Sequence, residues 1–205
     1  MKNLSFITCL LVLFSCNGTK KTDLTALRNG DLIFQTSTSP QSKAIQLATN
    51  SKYSHCGIIY EENGAYYVFE AIQPVQSTPL QKWILRGEDS HFVVKRLNSA
   101  DKIVTTQNLQ KMKTIGKEMA GKNYDLYFEW SDERIYCSEL IWKVYKEGAG
   151  VEIEKLQQLK DFELTNPLVK AKLKERYGNT LPLHEKVISP AAIFNSNLLY
   201  TVFEN

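Results

Sequence analysis

Three side chains in this sequence could together perform nucleophilic acyl chemistry: Cys137, His55 and Glu70. Cys137 opens the segment 137–147, where Cys137, Leu140, Ile141, Val144 and Tyr145 recur at helical spacing, so the cysteine is expected at a helix N-terminus. There the unpaired backbone N–H groups and the positive end of the helix dipole favour the thiolate over the thiol. A thiolate attacks a carbonyl carbon and an adjacent imidazole carries the proton. A carboxylate on the other ring nitrogen fixes the tautomer and stabilises the imidazolium. The backbone N–H of Cys137 could supply one donor to a developing oxyanion.

His55 and Glu70 are tied together by a hairpin. Residues 55–60 and 65–71 are β-branched and aromatic runs, and Asn63-Gly64 between them signals a two-residue turn. That turn sets Gly57 opposite Glu70 and His55 opposite Ile72, so His55 and Glu70 share a face as diagonal neighbours. Cys56 falls on the other face and reads as core rather than as the sulfur that His55 serves. Singly, each residue also has a plainer role: Cys137 as packing, His55 as a satisfied strand histidine, Glu70 as a solvated carboxylate. The shared face is what joins them. His91 and His184 belong to no such group and read as structural or surface positions.

The framework around these residues reads as one domain of mixed elements. The 205 residues are 43% hydrophobic and 23% charged, enough for a single core, and no repeat or second linker divides them. The net charge of +3 has no long run of one sign, which excludes the footprint of a nucleic-acid binder. A strand is expected over 31–35 after Gly30, a helix over 39–49, a strand over 92–97 and an amphipathic helix over 107–119. Gly148 is expected to close the Cys137 helix. Residues 156–177 read as mostly helical with an interruption at Pro167, and 188–203 as apolar content that could cover the sheet. No Cys-x-x-Cys pair or histidine cluster suggests a metal, and no cofactor is called for.

The first residues read as a leader. Lys2 is followed by an apolar run, 4–14, too short to span a bilayer, and Leu13-Phe14-Ser15-Cys16 resembles the lipobox of bacterial lipoproteins. On that resemblance residues 1–15 are a signal peptide and Cys16 becomes a lipidated N-terminus. Residues 16–28 are then a polar tether that holds a domain at 29–205 off a bacterial membrane in the cell envelope. A plain secretory leader is the other reading. Only Cys56 and Cys137 then remain in the folded part, too few for a disulfide-stapled scaffold.

The assembled motifs resemble the NlpC-type papain-like cysteine peptidases, in their circularly permuted, YiiX/YaeF-like branch. Gly30-Asp31-Leu32-Ile33-Phe34 and Ser54-His55-Cys56-Gly57-Ile58 come first. Gly121-Lys122-Asn123-Tyr124-Asp125 and Tyr136-Cys137-Ser138-Glu139-Leu140-Ile141 come last, the reverse of the ordinary order. The resemblance covers residues 30–148 and implies an α+β papain-like fold, an antiparallel sheet packed against a nucleophile-bearing helix. It also implies Cys137 as nucleophile, His55 as base, Glu70 as third polar residue, and Tyr124 as a tyrosine that holds substrate or oxyanion. Cys56 departs from the family, which has a plain aliphatic residue there. The expected chemistry is amide hydrolysis or acyl transfer on a peptidoglycan peptide or another acyl-amide substrate. The alternatives are a lipid or acyl-amine substrate and a non-catalytic module that binds lipid or peptide.

Overall fold

A computed structural model describes residues 24–205; the leader and Cys16 lie outside the described residues. A six-stranded sheet, ordered β10-β5-β1-β2-β3-β4, carries the fold. Its strands are β1 (Leu32–Gln35), β2 (His55–Glu62), β3 (Ala65–Glu70), β4 (Gln76–Pro79), β5 (Val93–Leu97) and β10 (Leu199–Glu204). Every neighbouring pair in it is antiparallel. Two short ladders, β6 (Asn123–Tyr124) with β7 (Arg134–Ile135) and β8 (Gln157–Gln158) with β9 (Lys186–Val187), pin loops. The helices are α1 (Ser42–Thr49), α2 (Leu80–Leu85), α3 (Ala100–Ile103), α4 (Thr106–Met119), α5 (Cys137–Ala149), α6 (Pro167–Tyr177) and α7 (Pro190–Phe194). The fold is α+β, as expected.

Both faces of the sheet are covered, and the strand alternation decides which residue goes where. Leu32, Phe34, Cys56, Ile58, Tyr60 and Phe69 join Leu140, Ile141, Val144 and Tyr145 of α5 and Met112 of α4 in one core. Ile33, Ile59, Val68 and Val94 point the other way, onto Leu27, Phe92 and the α2 residues Leu80, Trp83 and Ile84. Arg96 is buried on Asp31, with Nε donating to Oδ1 at 2.6 Å, so the charge entering the sheet is neutralised where it is desolvated.

Several expectations are corrected. The chain is already folded at residues 24–28: Leu27 is core, its carbonyl accepts from the Tyr66 hydroxyl, and Ala26 O accepts from Arg96. That part of the expected tether therefore belongs to the domain, because one large apolar side chain outweighs a polar neighbourhood. Gly148 lies inside α5; the helix ends at Gly150, which takes φ 72°. Gly148 instead lets α4 approach, since a Cβ there would stand 2.6 Å from Met112 Cα. Residues 156–166 hold a short strand and a single 3-10 turn, and α6 begins at Pro167, where the missing N–H is no loss at a first helical position. The C-terminal segment does both: Ile188, Ile193 and Phe194 cover the core face of the sheet, Phe194 against Phe34 of β1, and β10 then extends the sheet beside β5.

Candidate active site

The hairpin has the register that Asn63-Gly64 dictates. Glu62 pairs with Ala65 and Ile58 with Phe69, and Asn63 and Gly64 both take positive φ. The ladder stops at Ile58 and Phe69, so neither the Gly57–Glu70 nor the His55–Ile72 pairing is made, but His55 and Glu70 share the α2 face. His55 Nε2 lies 2.6 Å from Glu70 Oε2, with Glu70 fully buried and His55 8% exposed. Gly57 makes the meeting possible. It lies between His55 and Ile59 on that face, and a Cβ there would meet Val68 Cγ1 at 2.4 Å and Phe69 O at 2.9 Å.

Glu70 has further partners that the sequence reading missed. Thr78 Oγ1 of β4 donates to Oε1 at 2.5 Å, and Arg86 Nη2, just past α2, donates to Oε1 at 2.5 Å and Oε2 at 2.7 Å. Burial alone would push this carboxyl up, but its hydrogen bond to His55, the imidazolium charge, Thr78 and Arg86 outweigh it and hold it below the usual glutamate value. Trp83 stacks on the imidazole with ring centres 6.0 Å apart. The carboxylate facing the imidazole is thus itself held from three directions.

Cys137 arrives from the opposite layer. α5 lies against the Cys56 face of β2 and brings its first residue to the strand end where His55 begins; Cys137 is 2% exposed. Nε2 of His55 is engaged by Glu70, which leaves Nδ1 for the sulfur. Burial works against charge on His55, yet hydrogen bonds to Cys137 and Glu70 raise its pKa to about 9. Cys137 moves the other way: a hydrogen bond from the Cys56 thiol, then that from His55 and the imidazolium charge, overcome burial and drop the thiol well below its ordinary value. Both shifts favour the thiolate–imidazolium pair, the form in which a cysteine is nucleophilic.

Tyr124 stands beside this pair. β6 pairs Tyr124 with Ile135 in parallel, two residues before Cys137, and Gln41 Nε2 donates to its hydroxyl at 3.1 Å. Burial and the negative charge on Cys137 raise the Tyr124 pKa, so the hydroxyl keeps its proton and can donate to an oxyanion. Asp125 holds the loop, accepting from the backbone N–H of Tyr127 and Glu129. His91 lies on the surface, hydrogen-bonded to Asn205 O, and His184 is exposed beside Gln158, both away from this constellation.

Residues 26–203 match the model of a family described as "Permuted papain-like amidase enzyme, YaeF/YiiX, C92 family". The chain belongs to this family. Among curated proteins the permuted amidase is similar to YiiX of Escherichia coli K12, 49% identical over 175 residues, which is 85% of each chain. It is also similar to the crystal structure of the metalloprotein YiiX from E. coli O157:H7, with TM-score 0.83 and 49% identity, over 87% of this chain and 97% of that one. The metal of that description has no matching site here: among the described residues no group of three or more His, Cys, Asp and Glu could hold an ion. Both oxygens of Glu70 already accept from His55, Thr78 and Arg86, so this carboxylate offers no free oxygen to an ion.

An apolar cleft opens from Cys137 and Tyr124 and runs between α1 and α6, past Ala44, Phe128, Leu159 and Leu173. Lys172 and Arg176 stand at its mouth, and Arg176 donates to Gln41 Oε1 at 2.5 Å. A second, wider groove lies on the other side of Tyr124, past His55, Ser37 and Arg86. The helix start and the hairpin spacing had already brought Cys137, His55 and Glu70 into view in the sequence. Nothing local in the sequence marked the cleft, which is built from helices more than a hundred residues apart.

Proposed function

We propose that this permuted amidase hydrolyses or transfers an amide-linked acyl group, with Cys137 as nucleophile, His55 as base and acid, Glu70 as orienter and Tyr124 as an oxyanion donor. The observation that carries the reading is the imidazole held between the buried Glu70 carboxylate and the Cys137 sulfur. The thiolate adds to the carbonyl carbon, and the oxyanion is met by the Cys137 N–H and the Tyr124 hydroxyl. His55 gives its proton to the departing amine, leaving a thioester on Cys137. Water then attacks the thioester as His55 takes its proton, and the acid leaves.

The apolar cleft favours a lipid-like acyl group over a polar cell-wall peptide, because its lining offers few hydrogen bonds to repay the desolvation of a peptide. The leaving amine would lie in the groove past His55. The lipobox at Cys16 supports placing the enzyme on a bacterial membrane in the cell envelope, where such acyl amides are presented. Globomycin treatment of producing cells should shift the mature mass; an unchanged mass would remove the anchor from this reading.

The decisive test is hydrolysis of long-chain N-acyl amides and of muropeptides by the wild type and by Cys137→Ala. Turnover of the acyl amides that vanishes in the variant supports the proposal. Turnover of muropeptides alone would restore the cell-wall reading, and activity retained by Cys137→Ala would end the catalytic assignment.

A further inference from the structure

Cys56 is a buried thiol that the proposed reaction does not use. It lies on the second position of β2, on the face that α5 covers, while Cys137 is the first residue of α5, so both sulfurs meet at one end of the strand–helix contact within a single core cluster. They are the free cysteines of the described residues, and both are buried. The Cys56 thiol and N–H are among the groups that lower the Cys137 pKa. Burial and the neighbouring Cys137 charge keep Cys56 itself a thiol. The two cysteines therefore sit on facing elements at one end of the core, near His55 and beside a cleft, lined by Cys137, through which a small molecule can enter.

We propose that Cys56 is a resolving thiol for Cys137, so that a peroxide converts the nucleophile into a reversible Cys56–Cys137 disulfide. In the first step the Cys137 thiolate attacks one peroxide oxygen. An S–O bond forms, the O–O bond breaks, and hydroxide or alkoxide leaves and takes up a proton. The sulfur loses two electrons to the peroxide and becomes a sulfenic acid. In the second step the Cys56 sulfur attacks the Cys137 sulfur. The S–S bond forms, the S–O bond breaks, and the departing hydroxide takes the thiol proton to leave as water. A dithiol reductant returns both thiols. Without a resolving thiol the sulfenic acid proceeds to sulfinic and sulfonic acids, from which a thiol reductant does not recover it. The device needs the thiolate character of Cys137 but no particular substrate.

The full chain is treated with hydrogen peroxide, quenched in acid, unfolded, alkylated with iodoacetamide and digested without reductant for mass spectrometry. The expected result is a linked peptide pair joining positions 56 and 137, two hydrogens lighter than the separate peptides. In a parallel oxidised sample kept folded, dithiothreitol should restore labelling of Cys137. In Cys56→Ser, and in Cys56→Ala as a second variant should the first misfold, Cys137 should carry sulfinic or sulfonic acid, with recovery by dithiothreitol at least tenfold lower. Sulfinic acid at Cys137 of the wild type with Cys56 still alkylated would overturn the proposal, as would full recovery in both variants. The labelling rate of untreated Cys137 is read in the same series. A slow rate there counts against the activated nucleophile itself, whereas a fast rate without a linked pair counts against the resolving role alone.

Discussion

At the scale of single residues, the charge state of the pair makes the first prediction. A lowered thiol pKa means the thiolate survives as pH falls, until the folded-state value is reached, whereas a free cysteine loses it below about 8.5. Iodoacetamide should therefore label Cys137 at mildly acidic pH, and the rate should change again near pH 9, where His55 gives up its proton. His55→Ala should move labelling to alkaline pH and lower kcat/KM by roughly 10²–10⁴. Labelling of the wild type only at alkaline pH would contradict the ion pair. Arg86 makes the second prediction. It lowers the Glu70 pKa, so Arg86→Ala should raise it, and the acidic limb of the pH–rate profile should move to higher pH while Arg86→Lys moves it less. An unshifted limb would reduce Arg86 to a surface contact.

At the scale of elements, Gly148 is where α4 and α5 touch. A Cβ there would stand 2.8 Å from Met112 N as well as 2.6 Å from its Cα, so Gly148→Ala should destabilise the fold by about 1–3 kcal/mol, read as a lower midpoint in thermal unfolding. The hairpin and α5 were legible in the sequence because each is governed locally, by a turn dipeptide and by a helical apolar stripe. Thr78 and Arg86 were not. Strand β4 is a mostly exposed edge that ends at Pro79 and has no alternation to read, and α2 has only six residues. Gly148 was read as a terminator because sequence spacing does not distinguish a glycine that ends a helix from one that admits a neighbour.

At the scale of the whole molecule, the site is a meeting of two layers with a cleft beside it. If the cleft receives the acyl chain, Ala44→Trp should shorten it and raise KM for long-chain acyl amides about tenfold, since excluding two methylenes removes about 1.6 kcal/mol of burial. Short acyl amides should be turned over as before, and an equal effect on both would argue for a collapsed site. The strand order has another result. His55 and Glu70 lie in β2 and β3, Cys137 opens α5, and β10, which completes the far edge of the sheet, follows them all. Synthesis runs from the N-terminus, so a nascent chain exposes its proton-handling half well before its sulfur, and the last of the six strands is made after both. The proposed Cys137–His55 pair therefore cannot assemble until α5 has been made and the two layers close on one another.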